Sequence, residues 1–312
     1  MVSKTAELDQ SKPIIVWCVL DGKAGHEAQT KGLVNALGRR CAVQVHDIPG
    51  LNRLHALYLW MIRGFAPGQN LPSPDLIIGA GHRTHFSLLA ARRAYGGKIV
   101  VLMKPSLPSE LFDFCFIPEH DKPKQAVNVF LTTGVLNTVE KATGQSLDKA
   151  LILIGGPSTH YSWDTAATVA SVLEMVRTDA SIQWILTTSR RTPENTELAL
   201  INLNEVNLEV VPFSDTTQGW VNARLNECAT VWVTEESVSM VFEALTSGAG
   251  VGLLPVPLIS KKNRVSEGID KLKSEGRVQE FDPKATSYRI ETQRSEFAEA
   301  NRCASIIFEN MK

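Results

Sequence analysis

Two doubly wound, parallel-sheet α/β domains of Rossmann-like type are the fold class this sequence predicts. Three observations predict it. Short β-branched runs alternate with helical stretches along most of the chain, the pattern of parallel strands covered on both faces. The alternation lapses over residues 135–149 and restarts at Ala150. The length, 312 residues, is about twice the ~150 of a typical domain.

In the first half, strands are expected at Ile14–Leu20, Ala42–His46, Leu76–Ile78, Ile99–Leu102, Phe114–Ile117 and Asn128–Leu131, all short apolar runs. Helices are expected between several of them, at Glu27–Leu37, Leu54–Gly64 and Thr84–Ala94. The glycine-bearing stretch before Ala150 has no strand signal and reads as a linker. The second half continues with strand Ala150–Ile154, helix Thr165–Arg177, strand Ile182–Thr187, helix Pro193–Leu203 and strand Leu208–Val211. Helix Gly219–Asn226, strand Thr230–Val233, helix Ser237–Ser247 and strand Gly250–Leu254 follow. A last helix, Arg294–Met311, comes after a strand-poor stretch. The domains are therefore 1–134 and 150–312, joined by 135–149, with a C-terminal helix able to pack back on the first.

Thirty-two Lys+Arg against thirty-three Asp+Glu give a net charge of −1. That lacks the electrostatic footprint of a nucleic-acid binder, so no nucleic-acid partner is expected. Five cysteines (Cys18, Cys41, Cys115, Cys228, Cys303) are scattered without zinc, thioredoxin or disulfide spacing. Four adjoin apolar runs and read as small core residues. The polar start MVSKTAELDQSK has no signal-peptide run, and no stretch reaches the ~20 apolar residues of a bilayer span. A cytoplasmic protein is the expectation.

Ligands of open parallel sheets bind beyond the carboxyl ends of the strands, where helix N-termini offer N–H groups. Four loops in that position have unusual compositions. The first, Asp21-Gly22-Lys23-Ala24-Gly25-His26, has glycines for a tight turn, a cation at Lys23 and an imidazole at the start of the next helix. Walker A spacing is absent. The second, Gly79-Ala80-Gly81-His82-Arg83-Thr84-His85, begins like a dinucleotide fingerprint, but Thr84 replaces its third glycine. His82 and His85 stand at i, i+3 with no third metal ligand evident apart from Glu119-His120-Asp121, so His82 and Arg83 read as polar residues lining a cleft.

The third comprises Gly155-Gly156-Pro157-Ser158 and Thr187-Thr188-Ser189-Arg190-Arg191-Thr192-Pro193. Hydroxyls, two arginines and a helix start converge there, as phosphate oxygens require. The fourth is Thr234-Glu235-Glu236-Ser237-Val238-Ser239, with Glu243 farther along the helix. Ser237 and Ser239 can cap the helix or touch a pyrophosphate, and Glu243 can hold two hydroxyls of a ribose. No Asp-x-Asp metal signature appears, and neither metal nor cofactor is expected.

Taken in order, DGKAGHEAQ, GAGHRT, FIPEHD, LIGGPS, TTSRRTP and VTEESVSMVFEALTSG closely resemble the mitochondrial-fission family named for elongated mitochondria in plants, over about Ile14 to Pro257. Its bacterial members are generally described as candidate glycosyltransferases. A more distant likeness is to GT-B glycosyltransferases that attach N-acetylglucosamine to a lipid-linked peptidoglycan precursor. That resemblance implies a GT-B-like arrangement of two domains facing a cleft, with His26 near the acceptor and Glu243 on the nucleotide ribose. Lys23 stands where those relatives carry small residues.

On this reading the donor is a nucleotide sugar held by Gly155, Gly156, Ser158, Thr188, Ser189, Arg190, Arg191, Glu236, Ser237, Ser239 and Glu243. Asp21, Gly22, Lys23, Gly25, His82 and Arg83 face a sugar or lipid-linked acceptor, in cell-envelope glycoconjugate synthesis. Arg190 and Arg191 would stabilise the charge that develops on a leaving nucleoside diphosphate. His26 would take the acceptor's proton, since an imidazole works as a base near neutral pH. Should His26 not serve, Asp21, His82 and Glu119 are the other candidate bases. Leu51–Phe65 (LNRLHALYLWMIRGF) has the profile of a helix touching a lipid surface, peripheral to the inner membrane, or of a core helix with basic ends. The rival functional class is a catalytically inactive adaptor on a membrane surface, as the plant relatives' role in fission suggests.

Overall fold

The computed structural model describes residues 12–259, 264–292 and 297–311. The chain divides into two compact units, 1–138 together with 299–312, and 139–298.

Unit 1 is built on six parallel strands: β1 (Ile14–Leu20), β2 (Val43–Pro49), β3 (Leu76–Ala80), β4 (Lys98–Leu102), β5 (Phe114–Pro118) and β6 (Val129–Thr132). Their order is β2-β1-β3-β4-β5-β6. Strand alternation sends Ile14, Val16 and Cys18 to one face, with Leu76, Ile78 and Val100, against α1 (Ala24–Gly38). Trp17, Val19, Ile77 and Val101 go to the other, beneath α2 (Arg53–Met61) and α3 (His85–Tyr95). Trp17 is fully buried and stacks on Phe65. A Cβ at Gly68 would meet its ring at 2.2 Å, so only glycine lets the chain pass there. Helix α2 ends at Met61 rather than Gly64, because Arg63 turns left-handed (φ 55°) and the Gly64 amide closes on the Leu59 carbonyl at 2.9 Å.

Unit 2 repeats the plan. Its strands β7 (Ser146–Leu153), β8 (Gln183–Thr187), β9 (Leu208–Val211), β10 (Cys228–Thr234), β11 (Gly250–Leu254) and β12 (Gln279–Glu280) lie in the order β12-β11-β10-β7-β8-β9 and pair in parallel throughout. The helices are α4 (Thr165–Thr178), α5 (Glu194–Ile201), α6 (Trp220–Glu227), α7 (Val238–Ser247) and α8 (Arg264–Ser274). The core holds Trp184, Trp232 and Tyr288.

Two departures from the sequence expectation have physical reasons. Strand β7 begins at Ser146, inside the expected linker, with Ser146 opposite Cys228. Its outer end, Ser146–Lys149, is polar and incompletely buried, so it gives no apolar run. Helix α8 and strand β12 were not anticipated; Ile269 and Leu272 are nonetheless buried, at helical spacing. The last helix, α9, spans Glu299–Met311; the expected start at Arg294 lies outside the described residues. It belongs to unit 1, where Cys303, Ala304 and Ile307 enter the core beside Leu33 and Leu37 of α1. Arg39 bonds Asn301 at 2.6 Å, and the Thr133 amide bonds Glu299 at 3.1 Å.

Candidate functional site

In each sheet the strand order reverses at one place, and the crevice there is where ligands of open parallel sheets bind. In unit 1 it lies between β1 and β3, and the loops leaving these strands carry Asp21–Lys23 and Gly81–Thr84. Helix α1 starts earlier than expected, at Ala24, so His26 stands in its first turn. The His26 Nδ1 lies 2.9 Å from Oδ2 of Asp21, whose side chain is nearly buried (2% exposed). An ionised carboxylate only accepts hydrogen bonds, so Nδ1 carries the hydrogen and Nε2 keeps a lone pair. The second loop braces the ring from the other side. A Cβ at Gly81 would meet His26 Cε1 at 2.3 Å, and Gly81 has φ +79°, so a side chain there is excluded twice over.

Beside this pair lies a pocket of about 750 Å³ lined by Asp21, Gly22, Asn52, Arg53, His82, Arg83 and Ser106, among others. Asp21 is shared, while the His26 imidazole is joined to the pocket through Asp21 and is not on its wall. Lys23 and Gly25 are exposed. His82 and His85 do not converge. His82 faces the pocket, whereas His85 is buried and lies 3.2 Å from Ser106 Oγ through Nδ1. Burial, and then the neighbouring His82 charge, push the His85 pKa down to about 4, which keeps the ring neutral. Among the described residues, no group of three or more His, Cys, Asp or Glu is arranged to hold a metal ion. Asn52 and Ser106 were missed in the sequence, and Arg53 stood there only as a basic end of the Leu51–Phe65 segment. Ser106 follows the carboxyl end of β4, the same signal that singled out the other loops.

In unit 2 the reversal falls between β7 and β10. The loops leaving them, Gly155-Gly156 and Glu235–Ser237, form one network. The Gly155 amide donates to Thr234 Oγ1 at 2.8 Å, and the Gly156 amide donates to Glu236 Oε1 at 2.9 Å. Arg191 donates to the carbonyls of Gly156 (2.9 Å) and Pro157 (3.2 Å), and to Glu236 Oε1 at 3.2 Å. A Cβ at Gly155 would stand 1.8 Å from Glu236 Oε1; the double glycine is a cradle for this carboxylate. Burial raises the Glu236 pKa, against the Gly156 amide, Thr234 and Arg191, which lower it. Its Oε2 is buried without a hydrogen-bond partner.

Several expected phosphate ligands are thus already engaged. Thr188 Oγ1 donates to Glu197 and accepts from the Phe213 amide; Ser189 caps its own turn through Thr192; Ser158 accepts from the amides of His160 and Tyr161. The two arginines part ways. Arg190 is exposed, makes no hydrogen bond or ion pair with another described residue, and holds its guanidinium 5.8 Å over the Phe213 ring. Ser237 stands at the start of α7 with its hydroxyl unused as a cap, and Ser239 is exposed.

Farther along α7, Glu243 makes no hydrogen bond or ion pair with another described residue, and burial lifts its pKa to about 7. Between the ordinary carboxyl pKa of 4.5 and about 7, the folded state holds a proton that the unfolded state has lost. Stability should therefore fall as pH rises through that window, by up to ~3 kcal/mol. Urea unfolding at pH 4.5, 6 and 8 is expected to show this fall in the native protein and a flatter profile in Glu243→Gln. An equal slope in both would remove Glu243 as its source.

Two Rossmann-like units with their loop sites at the strand-order reversals define the class: a GT-B-like fold. Solved structures agree at low identity. A candidate UDP-N-acetylglucosamine 2-epimerase of Listeria monocytogenes matches with a TM-score of 0.60 and 13% identity, covering 96% of this chain and 97% of that one. The glycotransferase of kitacinnamycin gives 0.53 and 12%, covering 96% and 100%. A UDP-GlcNAc 2-epimerase from Neisseria meningitidis, bound to UDP-GlcNAc, gives 0.52 and 10%, covering 96% and 99%. The chain belongs to the mitochondrial fission ELM1 family, whose model matches residues 24–311. It is also 24% identical to the uncharacterized protein RP120 of Rickettsia prowazekii (strain Madrid E), over 56% of this chain, and spans 63% of the length of that relative. No helix among the described residues is long and apolar enough to cross a membrane.

Proposed function

We propose that the protein is a glycosyltransferase that moves a sugar from a nucleotide-sugar donor to an acceptor hydroxyl. The observation that carries this reading is the Asp21–His26 pair, 2.9 Å apart, at the strand-order reversal of unit 1. A buried carboxylate that fixes one ring nitrogen and leaves the other basic is the arrangement of an oriented general base. His26 Nε2 takes the acceptor's proton, and the acceptor oxygen bonds to the anomeric carbon of the donor sugar. The bond from that carbon to the phosphate oxygen breaks, and the nucleoside diphosphate leaves with the electron pair. In unit 2, Arg190, Ser237 and Ser239 meet the diphosphate, and Glu243 accepts hydrogen bonds from the ribose. Arg191 acts indirectly, by holding Glu236 and the double-glycine loop.

Binding of UDP, followed by calorimetry at pH 6.5, tests the donor side. Ribose hydroxyls donating to Glu243 favour its ionised form, so UDP binding should release a proton in the native protein and none in Glu243→Gln. Pyrophosphate should bind both alike. Proton release that persists in the variant would remove Glu243 from the site. Product analysis with UDP-N-acetylglucosamine separates transfer from epimerisation, the activity of two of the similar folds. The family's link to mitochondrial fission supports a second reading, an inactive adaptor, which predicts no UDP binding at all.

A further inference from the structure

Between Asp47 and Glu110 the chain carries seven Lys and Arg (Arg53, Arg63, Arg83, Arg92, Arg93, Lys98, Lys104) against a single acid, Asp75. A protein of net charge −1 has thus concentrated cations in the segment that contains α2 and α3. Helix α2 buries only Ala56 and Leu59. Its outward side is apolar: Leu54 is 80% exposed, and Tyr58, Met61 and Ile62 are each more than half exposed. The spacing 54, 58, 61, 62 places them on one face. Arg53 and Arg63 stand at its two ends, both exposed.

Next to this face runs a mostly apolar groove of about 500 Å³ lined by Leu57, Trp60, Phe86, Leu89 and Leu107, with Arg93 and the Asp113-paired Arg92 (3.2 Å) also on its wall. Arg93 lies 4.4 Å over the Trp60 ring. Phe86 and Leu107 also line the pocket of Arg53, His82 and Ser106, so groove and pocket adjoin. An apolar groove beside a pocket that carries Arg53, Arg83 and the hydrogen-bonding Asn52 and Ser106 matches the chemistry of an amphiphile. The flanking arginines, and a Trp and a Tyr beside the apolar side chains, match the interface of an anionic bilayer.

We propose that the α2 face docks on an anionic lipid bilayer and that the groove takes one hydrocarbon chain of a lipid whose headgroup enters the pocket. That this lipid is the sugar acceptor rests on the transferase reading; the docking does not. Short amphipathic helices bind such surfaces by apolar burial together with attraction to anionic headgroups. Both contributions are present in α2, and the groove lies directly beside the pocket.

Vesicle co-sedimentation with the full chain tests this. Vesicles of equal phosphatidylglycerol and phosphatidylcholine should bind the protein, pure phosphatidylcholine at least tenfold less, and 0.5 M salt should weaken the first. Leu54→Glu/Tyr58→Glu/Met61→Glu should lower the partition at least tenfold with an unchanged melting temperature. Arg63→Glu/Arg93→Glu, which leaves the apolar face intact, should lower it as well. Acyl-brominated lipids should quench tryptophan fluorescence, and Trp60→Phe should abolish most of that quenching. Undiminished binding in both variants, or no preference for anionic vesicles, would overturn the proposal. So would the absence of vesicle binding in a protein whose self-association is lost in the triple variant, which would make a second copy the occupant. UDP affinity measured alongside separates the two readings: its absence with vesicle binding intact sinks the transferase reading and leaves the docking.

Discussion

His26→Ala should lower turnover by ~10²–10⁴, the usual loss on removing a general base, while UDP affinity stays within about twofold. Asp21 and His26 belong to unit 1, and the proposed donor ligands all belong to unit 2. Asp21→Asn sharpens the test. An amide in place of the carboxylate can donate to Nδ1 and so drive the ring hydrogen to Nε2, the nitrogen that must accept a proton. Its rate should fall by at least tenfold with the fold intact. Full activity in His26→Ala, measured by product formation, would move the base to Asp21, His82 or Glu119. A loss of UDP affinity as large as the loss of rate would make His26 a binding group instead.

Arg191→Ala should destabilise unit 2 by roughly 2–3 kcal/mol, somewhat below the 3–5 of a fully buried pair. The discount follows from exposure: the Arg191 side chain is 42% exposed and that of Glu236 is fully buried. Removing the guanidinium leaves Glu236 with the neutral donors Gly156 N–H and Thr234 but no cation, and strips a donor from two carbonyls. The loss should be smaller at pH 5 than at pH 8, because a carboxyl whose pKa is already raised takes up a proton more readily once its cation has gone. Urea unfolding at the two pH values measures both effects. Arg190→Ala should do the reverse, weakening UDP ten- to a hundredfold, roughly the 1.5–3 kcal/mol of a charged hydrogen bond, at unchanged stability. If Arg191→Ala weakened UDP and left the unfolding curve alone, the roles of the two arginines would be exchanged.

Adjacent in sequence, Arg190 and Arg191 look alike, and nothing in the run Ser-Arg-Arg-Thr tells which one turns inward. The partner that decides it, Glu236, is forty-five residues away. The same limit explains why Asn52 and Arg53 were not legible as pocket walls: each is an ordinary residue until the fold brings it beside Asp21, whereas Ser106, past the end of β4, carried the same signal as the other loops. The loops themselves were legible, because the rule that ligands sit past strand ends needs only the strands. Those announced themselves; β1 was read at Ile14–Leu20 and is found there, since seven apolar residues buried on both faces leave a continuous signal. Strand β7 was found from its buried end and missed at its polar start, where the periodic signal vanishes although the pairing continues.

The return of α9 to unit 1 has a consequence for synthesis. Chains leave the ribosome N-terminus first, so the strands of unit 1 are complete long before Cys303, Ala304 and Ile307 exist to fill their core beside α1. Unit 2 is contiguous, 139–298, and can close while that gap stays open. At about 5–20 residues per second, the interval is on the order of ten to thirty seconds. During it an apolar stripe of α1 faces water and competes for any other hydrophobic surface at hand. The first part of the polypeptide to be made is the last to be finished. A nascent chain stalled before residue 299 would therefore be a natural client for a chaperone, whereas release of the final thirteen-residue helix would end that dependence in a single step.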